Sequence, residues 1–290
     1  MVYIILIICL LSSGFTANFY KKLSDDSDSK AASVMMPSVW FLILGVMFVI
    51  ITAVNGISGN TVIPAAIGAG LCYAIACSIL IESMKTNAFS IATIIVNLNF
   101  IIPVILSAIF LKELASPLQL FGMIASIVVI LLLNLNGNSE KSKPGAVLLP
   151  LAACLANGLL NFFIKVNGNA GGDGNFFFVI AYFTAAVVCA LTSLILHKKS
   201  DGKMIPDIKI RRTLPFILMV GVCNGVCYYT IGLLTGMMNA TAQFTIVTAG
   251  SILLSLAVGF LFQGDKFTPK TAISILFCLV AVLCQAGGIA

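Results

Sequence analysis

Charge is what this sequence most conspicuously lacks. Its 290 residues include 16 Lys and Arg and 10 Asp and Glu, so only 9% are charged. A soluble domain carries about a quarter, and a surface this poor in charge cannot face water throughout. A soluble enzyme, a nucleic-acid binder and a disordered chain are thereby excluded. Histidine is reduced to one residue, His197, at a helix end, and the nine cysteines form no CxxC pair. No disulfide framework is expected. Cys223 and Cys227 share a helix face, but no further thiol cluster supports a soft metal, so no metal or other cofactor is expected. There is no Ser/His/Asp set to suggest an enzyme. The Gly171-Gly172-Asp173-Gly174 stretch is not followed by Gly-Lys-Ser/Thr and is expected to be a flexible connection rather than a nucleotide loop.

What is present is apolar. Hydrophobic residues make up 60% of the chain, and mean hydropathy is +1.12. Crossing a bilayer takes about 20 apolar residues in a helix. Ten segments reach that length, near 2–20, 37–54, 61–81, 88–111, 118–135, 145–164, 176–196, 213–235, 240–262 and 270–288. None alternates with a period of two, which favours helices over a barrel. The first segment has neither a basic leader nor a small-residue cleavage site and is expected to be a retained helix rather than a signal. The expected fold is therefore all-α, an integral membrane protein with ten transmembrane helices.

An internal duplication organises these segments. Leu11, Gly14, Phe19 and Lys21 recur at an offset of 144 as Leu155, Gly158, Phe163 and Lys165. Asn87, Ala88, Thr93, Ile94, Phe110 and Pro117 recur at an offset of 152 as Asn239, Ala240, Thr245, Ile246, Phe262 and Pro269. Glu113 falls on Asp265. The repeat units are residues 1–137 and 144–290, five helices each. An odd number of crossings inverts the second unit, and inverted repeats are common in secondary transporters with a midplane solute site.

The same residues carry a family resemblance. Gly14 to Lys21 and Gly158 to Lys165 resemble the helix ends of the drug/metabolite transporter superfamily. Ala88-Phe89-Ser90, Pro103, Phe110-Leu111-Lys112-Glu113, Pro117 and Gly122 are similar to its fourth and fifth helices. Asn239-Ala240, Gly250-Ser251, Gln263-Gly264-Asp265 and Pro269 are similar to the same block in the second half. The likeness spans the chain and is closest to the ten-helix EamA-type members. It implies a cavity lined by helices 1, 3, 4, 6, 8 and 9, and a solute from a wide range: amino acids, sugars, nucleotide sugars, phosphorylated metabolites or drugs.

Polar residues inside spans are expected to face the bundle interior. Asn157, Asn161 and Lys165 lie at i, i+4 and i+8 of helix 6, one face. Asparagine there can bond a solute or glue helices together. Lysine can attract an anion or snorkel to headgroups. Asn18 and Lys21 form the related set in helix 1. Helix 4 offers Ser90, Thr93 and Asn97, and helix 9 offers Thr241, Thr245 and Thr248. The two rows are expected to confront each other, as cavity lining or as close packing. Asn224 and Tyr228 share a face of helix 8, and Tyr73 is a weaker candidate in helix 3. Glu82 and Lys85, three apart, are expected to neutralise one another near the surface. Pro103 is expected to kink helix 4. No acid lies in the middle of a span, which argues against a deep proton carboxylate and against selectivity for lipophilic cations.

The expected function is secondary transport of a small polar metabolite by alternating access, in a bacterial-type plasma membrane. The partners are a small-molecule solute and the lipid bilayer, with a monomer as the unit. A multidrug exporter and a non-transporting membrane scaffold or sensor are the alternatives. Fourteen of the 16 basic residues fall in the loops after odd-numbered helices, six of them between Lys198 and Arg212. The positive-inside rule puts those loops in the cytoplasm and both termini outside. The family resemblance implies the reverse.

Overall fold

The computed structural model describes residues 2–25, 29–57, 59–86, 95–134, 148–201, 210–258 and 269–285. Among them the chain is all-α, with ten helices of ten residues or more and no strand. These are α1 (Val2–Asp25), α2 (Lys30–Asn55), α3 (Ile63–Thr86), α4 (Ile101–Phe110), α5 (Pro117–Asn134), α6 (Leu148–Asn169), α7 (Gly174–Asp201), α8 (Ile210–Thr235), α9 (Ala240–Val258) and α10 (Pro269–Cys284). Five of them, α2, α3, α6, α7 and α8, are long and apolar enough to cross a membrane by length and composition. The outer faces expose runs of aliphatic side chains such as Ile4, Ile50, Val54, Leu191 and Leu276. This is the composition of an all-α membrane protein, with lipid rather than water as the solvent for its flanks.

Local chemistry sets where helices begin and end. Ser29, extended at φ −143°, accepts from the Ala32 N–H at 3.1 Å and starts α2. Ser116 and Gln119 cap each other at the start of α5, with Pro117 at its first position. The glycine-rich stretch after α6 is an ordered turn, not a loose connection. Gly171 takes φ 66°, where only glycine is unstrained. Asp173, buried there, accepts from the Phe176 N–H at 2.8 Å and caps α7. Several helices outrun their expected spans: α1 continues to Asp25, α3 to Thr86, α6 to Asn169 and α7 to Asp201, while α2 already begins at Lys30. Hydropathy falls as soon as lysines begin, whereas a helix continues into polar residues whose heads reach water.

Helix 4 departs most from expectation. A helical turn at 95–97 gives way to a 3₁₀ turn at Leu98–Phe100 before α4 begins. Pro103 lacks the N–H that would bond the Asn99 carbonyl, and the tighter turn sits at that gap.

The strongest helix pairings are α2 with α7, α3 with α6, α1 with α8, α3 with α7, and α5 with α10. Glycines bring some helices close. A Cβ on Gly70 would lie 2.5 Å from the Ala181 carbonyl, so α3 and α7 cross nearly backbone to backbone. Gly14 of α1 faces the Leu254 side chain of α9, and Gly158 of α6 faces Ile102 of α4 and the Asn99 carbonyl. At one end of the bundle, the start of α1 packs through Leu6 on Leu234 and Met238 after α8. There Gln285, after α10, also donates to the Gln119 carbonyl of α5 at 2.9 Å. At the other end Ser193 of α7 donates to the Ala31 carbonyl of α2 at 2.7 Å. Between the ends runs an aromatic core of Trp40, Phe41, Phe48, Tyr73, Phe178 and Tyr182, all buried, with neighbouring ring centroids 4.6–6.2 Å apart.

Candidate functional site

A cavity of about 180 Å³ lies among α1, α3, α6, α8 and the turn preceding α4. From α1 it receives Ser13, Thr16 and Tyr20, and from α3 Tyr73, Ala76, Cys77 and Leu80. Val96, Asn97 and Asn99 come from the turns before α4; Ala153 and Asn157 come from α6; Asn224, Cys227 and Tyr228 come from α8. Asn97 and Asn99 are two apart, and a regular helix would turn them to different faces. The 3₁₀ turn that follows from Pro103 lets both reach the cavity.

Its polar groups are held by one another. The Asn224 amide donates to the Tyr20 hydroxyl at 2.7 Å, and that hydroxyl shares a 3.1 Å hydrogen bond with the Cys77 thiol. The Tyr228 hydroxyl donates to Asn157 Oδ1 at 2.7 Å. The Tyr228 ring meets Tyr73 edge to face at 4.7 Å. The Tyr73 hydroxyl is buried without a hydrogen-bond partner among the described residues. A larger void of about 380 Å³ between α2, α3, α6 and α7 is walled mainly by aliphatic side chains such as Val34, Ile75 and Val188. It offers far fewer groups to orient a polar solute.

The polar stripe of α6 leads from this cavity to a different structure at the first end of the bundle. Lys165, 1% exposed, pairs with Glu113 Oε1 at 3.1 Å. It also donates to the Thr235 and Met238 carbonyls at 2.9 and 2.7 Å. Those carbonyls end α8, where a cation is favoured by the helix dipole. Glu113 also accepts from Asn169 at 2.7 Å and from the Ala240 N–H opening α9 at 2.8 Å. One ion pair thus ties the α4–α5 connection to the end of α6, the end of α8 and the start of α9. We call this the latch.

Of the residues expected at a solute site, Asn97, Asn157, Asn224 and Tyr228 line the cavity, as does the weaker candidate Tyr73. Lys165 does not: all three of its N–H bonds are taken within the latch. Asn161 is buried between the two, its Oδ1 without a partner among the described residues. Thr245 is buried, its hydroxyl likewise without a partner among them, and Thr248 is half-buried on α9; neither lines the cavity. Thr93 and the side chains of Asn18, Lys21 and Lys85 lie outside the described residues, as does Asp265. Glu82 accepts from Ser33 of α2 at 3.2 Å. All nine cysteines are free. Sequence reasoning missed Tyr20 and Asn99. Tyr20 was placed at the limit of its span, while Asn99 is two positions from Asn97 and fails any helical-face test.

Neither the sequence models of known protein families nor the curated proteins include a match to this chain. Among solved structures, one crystal structure of a protein superposes with a TM-score of 0.71 at 14% identity, covering 96% of this chain and 97% of that one. At such identity the likeness is one of fold.

Proposed function

We propose that the chain is a ten-span secondary carrier of the drug/metabolite transporter kind, with inverted five-helix halves, moving a small polar metabolite across a bacterial-type plasma membrane. The observation that carries this is the cavity itself. It presents several Asn and Tyr side chains on a mainly apolar surface and is drawn from helices of both halves, five of the six that the resemblance implies. The latch fits the same account, because alternating access needs one end shut while the cavity communicates with the other. Most cavity residues of α1 and α3, namely Thr16, Tyr20, Ala76, Cys77 and Leu80, lie past mid-helix, away from the latch.

Packing supports the inverted halves. Exchanging the first five helices for the last five turns the α3–α6 pairing into α8–α1, and α1–α9 into α6–α4; both members of each exchange occur. The α2–α7 and α5–α10 pairings map onto themselves. The glycine contacts obey the exchange at residue level. Gly14 and Gly158 are related by the offset of 144, and their neighbours Leu254 and Ile102 by the offset of 152. Two offsets read from sequence alone thus relate the two contacts.

Counterflow in proteoliposomes, screened with amino acids, sugars and phosphorylated metabolites, tests the assignment. Asn157→Leu and Asn224→Leu are each expected to reduce exchange at least tenfold. Parental rates in both variants would remove the cavity from the transport path. A multidrug exporter is the second reading, favoured by the tyrosine rings and the Ala76, Leu80 and Val96 wall. It requires resistance on expression and exchange of apolar compounds.

A further inference from the structure

The cavity's chemistry narrows the solute. Its described lining residues include no carboxylate, ammonium, guanidinium or imidazole. Lys165, the anion candidate on the same face of α6, is committed to Glu113 and two carbonyls in the latch. Among the described lining residues a charged solute would shed water and meet only neutral dipoles, which is costly without a partner charge.

Neutral hydrogen-bonding capacity, by contrast, is left over in both senses. Asn157 spends Oδ1 on Tyr228, and its NH₂ has no partner among the described residues. Asn224 spends its NH₂ on Tyr20, and its Oδ1 has none among them. The Tyr73 hydroxyl, on a residue 2% exposed, has no partner among the described residues. Buried polar groups are satisfied in native proteins, so unspent donors and acceptors around one void indicate what fills it. The lining also includes the apolar Ala76, Leu80, Val96 and Ala153, and the volume of about 180 Å³ holds on the order of six waters at ~30 Å³ each. That is room for a ring-sized molecule.

We propose that the cavity binds an uncharged, ring-bearing solute with a donor and an acceptor side by side on one edge, of the carboxamide or lactam type. The proposal rests on the carrier reading for the cavity being the solute site, but it is tested by binding alone.

The probes are matched pairs differing in charge but hardly in shape: nicotinamide with nicotinate, and benzamide with benzoate. Equilibrium binding to the purified full-length protein is measured at pH 7. Each amide is expected to bind at least tenfold more tightly than its acid, and Asn157→Leu to weaken the amides at least tenfold. Acids binding as well as amides, or no binding by either, overturns the proposal. Should Asn157→Leu misfold, Asn157→Asp keeps the shape while adding charge. It is expected to lose nicotinamide and gain the cation 1-methylnicotinamide; unchanged preference would also overturn the proposal. An amide that binds but shows no counterflow leaves the solute class standing and removes the carrier.

Discussion

At the scale of single residues, the buried hydroxyl of Tyr73 and the buried ammonium of Lys165 make opposite demands. An unpaired hydroxyl costs about 1–3 kcal/mol when no water or solute reaches it. Tyr73→Phe is therefore expected to leave the solute-free protein as stable as the parent or more so, while weakening solute binding. A melting temperature several degrees lower would show that the hydroxyl is satisfied in the free protein. Lys165 is fully partnered, and removing it strands Glu113 and two helix-terminal carbonyls. Breaking a buried pair costs about 3–5 kcal/mol. Glu113 is 19% exposed, so Lys165→Met is expected at the lower end, about 3 kcal/mol. Lys165→Met with Glu113→Leu is expected to recover part of that in thermal unfolding; no loss in the single variant would mean that the latch is slack.

The same residues mark what was legible in the sequence. Asn157, Asn224 and Tyr228 were readable because an uncharged polar group in a membrane helix must face the interior, and helical spacing says which groups face it together. Lys165, which the sequence leaves between attracting an anion and snorkelling to headgroups, is buried. Its partners are separated from it by whole helices, so spacing could not reveal that a carboxylate and two carbonyls engage it first. Tyr20 escaped because hydropathy ended its span where lysines begin, five residues before the helix ends. Asn99 escaped because a periodicity argument assumes the regular helix that the 3₁₀ turn interrupts.

At the scale of elements, the glycine contacts differ in kind. A Cβ on Gly158 would sit 2.5 Å from Ile102 Cβ and 2.9 Å from the Asn99 carbonyl, both rigid. A Cβ on Gly14 would meet the far end of the Leu254 side chain at 2.6 Å, which can rotate aside. Gly158→Ala is thus expected to destabilise by about 1–3 kcal/mol and Gly14→Ala by less. Ile102→Ala removes the Cδ1 contact at 2.5 Å and is expected to rescue Gly158→Ala only in small part, since the Cβ of residue 102 and the Asn99 carbonyl remain. Equal losses in the two glycine variants, measured by thermal unfolding, would contradict the contact geometry. Because Gly158 also abuts the turn that carries Asn97 and Asn99, its alanine variant is expected to weaken solute binding as well.

At the scale of the whole molecule, most cavity residues of α1 and α3 lie in the C-terminal halves of those helices. In the sequence, fourteen of the 16 basic residues fall in the loops that follow odd-numbered helices. If the charge rule holds, the structure faces the cytoplasm. Cys77 lines the cavity, so a variant keeping it as the sole cysteine reports the direction. Membrane-impermeant maleimide is expected to modify it from the cytoplasmic face and not from outside, and the carboxamide probes are expected to slow that reaction. Modification from outside alone would reverse the orientation and agree with the family expectation.

The exchange relation between the glycine contacts also has an energetic consequence. If each half can adopt the other's packing, the two facing states are built from nearly the same interactions. Their free energies then differ by only the residues at which the halves are unlike. A difference of about 1.4 kcal/mol sets a tenfold population ratio, far less than the latch alone contributes. The resting state is then decided not by the shared architecture but by a handful of unmatched positions, such as Pro103 against Ser255 and Glu113 against Asp265.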